Sequence, residues 1–401
     1  MGKWEMVRLG DVAHVTAGQG APQNVSDYSA IGIPFVKAGN LHELVKGLDE
    51  HNIQKVSDEV AKKHKLKLFP KGTVIFAKSG MSCMKGYVHE LSCPCYVVNH
   101  LACIMLNNGF SRYLKYTLER TKPNILIKDE AYPSIALSDV AAMQIPFPPL
   151  IVQKKIADVL DRANTLIEKR KTQIAKLDLL VKSQFVTMFG DPVINPMGWV
   201  VKPLQNFATV KIGPFGSLLH AEDYIEGGIP LVNPSHIVDG KIVADSKLTI
   251  SQEKYDQLLS YALRSGDIVL GRRGEIGRCA VVDDGVYLCG TGSMFIRIES
   301  DYLPMVLQKI ISSSGVRQIL KERAVGITMM NLNAGTVSNL EVIVPPLDLQ
   351  TQFIVFTERA DAHKTLLKKS LALLELNYKS LMQKCFNGAG KFGCQMILTN
   401  R

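Results

Sequence analysis

The stretch PPLIVQKKIADVLDRA begins at Pro148 and PPLDLQTQFIVFTERA begins at Pro345, so a Pro-Pro-Leu entrance with a Gln three residues after the Leu occurs twice, 197 residues apart. Repetition constrains a fold more tightly than composition does, because the same packing problem must be solved twice in one chain. The repeat extends well beyond these two stretches. Trp4, Leu9, Ala13, Val15 and Gly18 recur as Trp199, Leu204, Ala208, Val210 and Gly213. GIPFV at 32–36 recurs as GIPLV at 228–232, and KGTVIFAKSG at 71–80 is echoed by SGDIVLGRRG at 265–274. Tyr113 matches Tyr302 at a shorter offset of 189, which predicts about eight extra residues after Tyr302. The organisation expected is a globular segment at 1–147, a helix at 148–190, a second globular segment at 191–344, a second helix at 345–388, and a tail at 389–401.

Within the globular segments, short β-branched and aromatic runs punctuated by Gly and Pro read as strands: GTVIFA, CYVV, LACIML, GDIVLG, CAVVDD and SMFIRI. FSRYLKYTLERT and LPMVLQKIISSSGVRQILKERA have helical spacing. The mixture predicts an α+β fold.

The helices at 148 and 345 are more legible. Steps of four and three from Ile156 give Ile156, Leu160, Ala163, Ile167, Arg170, Ile174, Leu177, Val181, Gln184 and Met188. Adding 197 gives Phe353, Thr357, Ala360, Lys364, Leu367, Leu371, Leu374, Tyr378, Leu381 and Cys385. Eight of ten positions in each set are apolar. So narrow a stripe is the seam of a coiled coil. Pro148-Pro149 and Pro345-Pro346 suit helix entrances, where the missing N–H costs nothing. Each helix would run roughly 55 Å at ~1.5 Å per residue. One such helix after each globular segment predicts antiparallel pairing within the chain, with pseudo-twofold symmetry and the repeated helix as a spacer. Gln153 and Gln350 join the seam residues as candidates for coiled-coil or partner contacts.

Of 401 residues, 21% are charged and 46% hydrophobic, as in ordinary globular proteins. No run of 18 apolar residues would span a membrane, and the first residues lack the apolar core of a secretory leader. Cys83, Cys93, Cys95 and Cys103 lie close together, but Cys93-Pro-Cys95 lacks the two to four intervening residues of a structural zinc site. Reduced thiols in a cytoplasmic protein with no metal are the expectation. There is no G-x-x-x-x-G-K-[ST] loop, no G-x-G-x-x-G, no G-x-S-x-G elbow and no H-E-x-x-H. The Pro pairs are preceded by Phe or Val and followed by Leu, so they lack the Asn or Asp and the aromatic ring of a DNA amino-methyltransferase motif. A chain without these signatures is expected to catalyse nothing alone.

The net charge of +10 points to a polyanionic partner. Residues 1–147 carry 17 Lys and Arg against 13 Asp and Glu, whereas 196–344 carry 14 against 15, so the second half needs a local basic patch. Polar and basic residues recur at matching loop positions. Lys37 and Asn40 follow GIPFV; Asn233, Ser235 and His236 follow GIPLV. Lys78, Ser79 and Lys85 follow the TVIFA strand; Arg272, Arg273 and Arg278 follow DIVLG. Asn99-His100 corresponds to Thr291, and Lys211 completes the set. Gly-flanked cations at strand ends can approach phosphates, and Arg, Lys, Asn and His read base edges. The scaffold repeats while these residues differ, as expected of two reading heads for two DNA sequences.

This arrangement resembles the specificity subunit of type I restriction–modification enzymes. The resemblance rests on the two helices opened by PPL and a following Gln, the FGDPVINPMGW junction at 189–199, and the IPxV and GDIV…G segments; it covers the chain to about residue 388. Val152 and Leu349 stand where the family usually has Glu before that Gln. The resemblance implies two target-recognition domains, each reading half of a bipartite target in double-stranded DNA, with the helices fixing the gap. It also implies recruitment of two adenine methyltransferase subunits that use S-adenosylmethionine and of restriction–translocase subunits that use ATP and Mg, with no cofactor bound by this chain. The competing readings are a self-sufficient DNA methyltransferase, which would bind S-adenosylmethionine itself, and a coiled-coil scaffold, which would lack salt-sensitive DNA binding.

Overall fold

The computed structural model describes residues 4–215, 218–326 and 330–387, so the 389–401 tail lies outside the described residues. The chain divides into two compact units, Met1–Lys171 with Lys369–Arg401, and Thr172–Lys368. Each unit therefore contains one globular domain, the beginning of one long helix and the end of the other. Those helices are Leu150–Phe189 and Leu347–Asn387.

The first domain is built on a four-stranded antiparallel sheet in the spatial order Ala13–Ala17, Leu101–Leu106, Val74–Ala77, Val88–Glu90. The second domain repeats it as Ala208–Ile212, Ser293–Ile298, Ile268–Gly271, Cys279–Val281. A second sheet centres on Ile33–Val36, which pairs antiparallel with Lys55–Val56 and parallel with Tyr96–Val97. Its counterpart centres on Ile229–Val232 and adds Tyr224–Ile225 and Ala262–Leu263 at its edges. Each domain is closed by pairing its first strand with its last, Met6–Arg8 with Gln144–Pro146 and Val200–Pro203 with Glu341–Val344. All six strand-like runs of the sequence are strands, and the fold is α+β. The LPMVLQ…ERA stretch is two helices, Pro304–Ser312 and Ser314–Glu322, because the Ser313 side chain accepts from the Val316 N–H and starts a new helix.

The repeated glycines have a steric reason. A Cβ on Gly18 would lie 2.1 Å from the Val97 carbonyl oxygen, and one on Gly213 2.1 Å from that of Gly290. The chain leaving Ala13–Ala17 and Ala208–Ile212 can pass the second sheet only without a side chain there.

The seam is observed residue by residue. All twenty seam positions are buried or half-buried, from Ile156, Leu160, Ile167, Ile174 and Leu177 on the central helix to Phe353, Leu367, Leu371, Leu374 and Leu381 on the distal one. Between Arg162 and Gln184 every other residue is exposed. In the first unit Ile156, Ala157 and Leu160, early in the central helix, share a cluster with Tyr378, Leu381, Cys385 and Phe386, late in the distal helix. In the second unit Phe185 and Phe189, late in the central helix, pack against Phe353, early in the distal one. Lys364 pairs there with Asp178. The helices pair antiparallel.

The two glutamines of the entrance motif are clamps. Gln153 accepts from the Phe110 N–H at 2.9 Å and donates to the Pro148 carbonyl at 2.8 Å. Gln350 accepts from the Leu303 N–H at 2.9 Å and donates to the Pro345 carbonyl at 2.8 Å. Each is buried and joins its long helix to the start of a domain helix. Pro148 and Pro345 are buried beside them, while Pro149 and Pro346 are exposed at the first turn. Trp4 donates its indole N–H to the Cys385 carbonyl, and Trp199 donates to that of Phe189, both at 2.9 Å. Each repeated Trp thus secures the end of a long helix.

One equivalence read from the sequence is corrected. Phe110 and Leu303, which donate to the matching clamps, are 193 residues apart, so the second domain is longer by about four residues before the 197 offset resumes, not eight. Tyr113 and Tyr302 stand at different backbone positions yet converge on one role, their hydroxyls donating to the Pro146 and Ile343 carbonyls at 2.8 and 2.9 Å.

Among the described residues no group of His, Cys, Asp and Glu is placed to hold a metal, and no helix is long and apolar enough to cross a membrane. The sulfurs of Cys93 and Cys95 lie 3.8 Å apart, and burial pushes the Cys103 thiol up to about 12. Glu50 is the first domain's deepest acid, 2% exposed. Burial pushes its carboxyl up, but the His89 ring at 2.8 Å, the Ser92 hydroxyl and the Ser92 N–H at 2.9 Å hold it down at about 2. A depressed carboxyl stabilises the fold above its unfolded value of 4.5 and loses that contribution as pH falls toward 2. We expect acid unfolding of the first domain to begin below pH 4.5, and Glu50→Gln to flatten that limb while lowering stability at neutral pH. Circular dichroism across an acid titration reads both, and an unchanged acid limb would contradict the assignment.

Candidate nucleic-acid interface

The sheet topology gathers the candidate loops of each domain at one edge. In the first domain the parallel strands Ile33–Val36 and Tyr96–Val97 end side by side, so the loops beginning at Lys37 and Val98 leave the same edge. Ala77 pairs with Leu101, which brings Lys78 and Ser79 beside His100. The Lys78 N–H donates to the His100 carbonyl at 2.9 Å, and the Ser79 hydroxyl lies 2.7 Å from His100 Nδ1. Gly80, at φ +75°, turns the chain away into the short helix Met81–Lys85. Asn99 and His100 are exposed, as is Lys85.

Not all of these side chains are free. Asn40 Oδ1 accepts from the Lys37 N–H at 2.8 Å and caps the 37–40 turn. Lys37 lies 3.9 Å from the centre of the Tyr28 ring and donates to Gln54 at 2.8 Å. Lys85 and Asn99 make no side-chain hydrogen bond or ion pair among the described residues and face outward.

The second domain repeats the geometry with other chemistry. His236 Nδ1 accepts from the Asn233 N–H at 3.1 Å, the bond that Asn40 makes in the first domain, and His236 is correspondingly buried. Asn233 Oδ1 accepts from the Gly292 N–H at 3.2 Å, tying its turn to the loop that carries Thr291. Arg272 is only 7% exposed. Its guanidinium donates to Asn331 Oδ1 at 3.0 Å, and to the Leu332 and Thr291 carbonyls at 3.4 Å. Burial, reinforced by the neighbouring Arg273 cation, holds Arg272 below the usual arginine range. Arg272 therefore braces three loops, while Arg273 and Ser235 are exposed. Arg278 is half-buried, paired with Glu275 and 3.5 Å from the Pro234 carbonyl. Lys211 is engaged locally, donating to the Ser260 carbonyl at 2.8 Å, its ammonium 4.5 Å from the centre of the Tyr261 ring.

The structure adds a loop to each cluster that the sequence reading missed. Ser79 bridges Ser134, and Arg273 bridges Asn331. Tyr132, 82% exposed, sits beside the first of these bridges, and Met330, 41% exposed, beside the second. Distance along the chain hid them: Tyr132 lies more than fifty residues after Ser79.

A sequence model described as the type I restriction modification DNA specificity domain matches residues 1–178 and again 196–376. The chain belongs to this family. The repeated match falls on the repeated architecture, and the family's role is DNA specificity, with no catalytic step of its own. The type I restriction enzyme MjaIX specificity subunit of Methanocaldococcus jannaschii is 24% identical over 374 residues, covering 87% of this chain and 85% of that protein. The EcoBI specificity subunit of Escherichia coli is 23% identical over 274 residues, covering 61% of this chain and 58% of its own length. In fold, the chain is similar to a subunit from a solved type I restriction–modification system, with a TM-score of 0.63 at 17% identity, covering 97% of this chain and 98% of that one. The type I specificity subunit from M. genitalium gives 0.56 at 14%, covering 96% of each chain. Val152 and Leu349, where the family usually carries Glu, lean on the apolar clusters at the two helix entrances.

Proposed function

We propose that the chain reads a bipartite site in double-stranded DNA, one half-site per domain, with the paired helices setting the gap between halves. The observation that carries this reading is the repetition of one loop edge on one sheet order with different side chains: Lys78, Lys85, Asn99 and His100 in the first domain, Arg273, Arg278, Ser235 and Thr291 in the second. Cations at such edges hold phosphates and polar tips read bases, so binding should weaken steeply with salt. Two methyltransferase subunits carrying S-adenosylmethionine and restriction–translocase subunits using ATP and Mg would assemble on this chain, which itself holds no cofactor. Leu166, Leu179, Leu366, Leu373 and Leu376 lie off the seam and are more than half exposed, which suits helices that bind partners along their outer faces.

The spacer role makes a direct prediction. Half-sites read from one face of DNA are centred roughly 34–36 Å apart, one helical turn. Deleting one heptad from one helix, or four residues from both, should change the tolerated gap and leave the half-site sequences as they were. Selection from a pool of split sites with variable gaps reads this, and altered half-sites at an unaltered gap would refute the spacer.

A further inference from the structure

Strand register identifies a pair of residues that sequence alignment had set out of step. In the first domain Val74 pairs with Glu90 and Phe76 with Val88; in the second Ile268 pairs with Val281 and Leu270 with Cys279. The residue just before the edge strand is therefore Tyr87 in one domain and Arg278 in the other. Each follows a left-handed glycine, Gly86 at φ +61° and Gly277 at φ +80°. Lys85, which the sequence placed opposite Arg278, is two residues upstream of that position.

The surroundings of the two residues differ in kind. Tyr87 Oη lies 3.0 Å from His42 Nδ1, and the two rings are 5.3 Å apart at a 42° tilt. They face a cavity of about 410 Å³ that Met81, Ser82 and Lys85 also line, beside the Ala38-Gly39 turn. His42 and Tyr87 can each donate or accept, and Lys85 only donates, so the cavity offers a mixed polar edge. In the second domain Arg278 stands against the Pro234 carbonyl, and Glu275 orients its guanidinium. A planar fork held in this way matches the O6 and N7 acceptors of guanine.

Given that the two domains read DNA, we infer that this position is a specificity determinant in both: Arg278 selects a guanine in one half-site, and Tyr87 with His42 selects one base in the other. Glu275 is a positioning residue that acts through Arg278. Lys78 and Arg273, which flank the left-handed turns at Gly80 and Gly274, supply affinity and no base preference.

The test is selection of random-sequence duplexes by the full chain, followed by sequencing. The wild-type protein should enrich two short blocks around a fixed gap. Arg278→Ala should lower guanine enrichment at one position of one block by about tenfold to a hundredfold, leaving the other block intact. Arg278→Lys, which keeps the charge and loses the fork, should relax the same position and guards against a variant that fails to fold. Glu275→Gln should relax it in part, a sequence-preference readout that a purely structural role would not move. Tyr87→Phe combined with His42→Ala should change one position of the other block only. Arg273→Ala should weaken binding to all sequences alike. If the wild type enriches a split site and Arg278→Lys leaves it unaltered, the inference is wrong while the DNA-reading function stands. If the wild type enriches nothing above a salt-sensitive background, the function itself fails, and the inference with it.

Discussion

Phe353→Ala is expected to cost about 3–5 kcal/mol and to loosen the second unit before the first. The ring is fully buried, with Phe185 and Phe189 at 5.5 and 5.4 Å in edge-on geometry, so truncation removes both buried area and two favourable ring contacts. It lies where the distal helix meets the end of the central helix and the second domain's core, which makes the cavity common to three elements. Ile156, its counterpart 197 residues earlier, fills the matching place in the first unit with an aliphatic side chain, against Tyr113, Tyr378 and Phe386. Ile156→Ala should therefore loosen the first unit instead. Hydrogen exchange resolved by segment distinguishes the two, since regions of one protein open with separate free energies. Uniform loss of protection across both units in either variant would contradict this division.

Gln350→Leu should cost about 2–4 kcal/mol, and Gln153→Leu a similar amount. Leucine approximates the volume, so packing changes little, but each substitution strands one N–H and one carbonyl that the amide had satisfied. An unpaired buried polar group costs about 1–3 kcal/mol, and here there are two. Gln350→Glu should fall between, because a carboxylate keeps the bond from Leu303 and loses the one to Pro345. Denaturant unfolding of the four proteins measures this. Equal stability of wild type and Gln350→Leu would mean the clamp is incidental to the entrance motif.

The clamps also show how far the sequence could be read. Repetition made Gln153 and Gln350 conspicuous, and periodicity placed every seam residue, because a helix keeps its period for forty residues and a seam stays on one face. What each glutamine holds, Phe110 or Leu303, lies more than forty residues away, and no local pattern encodes that pairing. Likewise Trp4 was legible as a repeat of Trp199, yet its partner Cys385 is 381 residues distant. At the candidate interface, composition found the loops and overcounted the free side chains. Asn40 and His236 are spent on capping their own turns, as polar side chains at strand ends commonly are, and Arg272 on bracing loops distant in sequence. The equivalence of Tyr87 and Arg278 was hidden for another reason: the loops before the two edge strands differ in length, so only strand register reveals it.

On the proposed function, this chain supplies the address for a modifying enzyme. The most direct test of that role is a map of methylated bases across the source genome, with the gene present and with it deleted. One split motif, two short blocks around a fixed gap, should be methylated in the first genome and unmethylated in the second. Loss of an unsplit motif would contradict the two-headed reading, and an unaltered methylation map would contradict the claim as a whole.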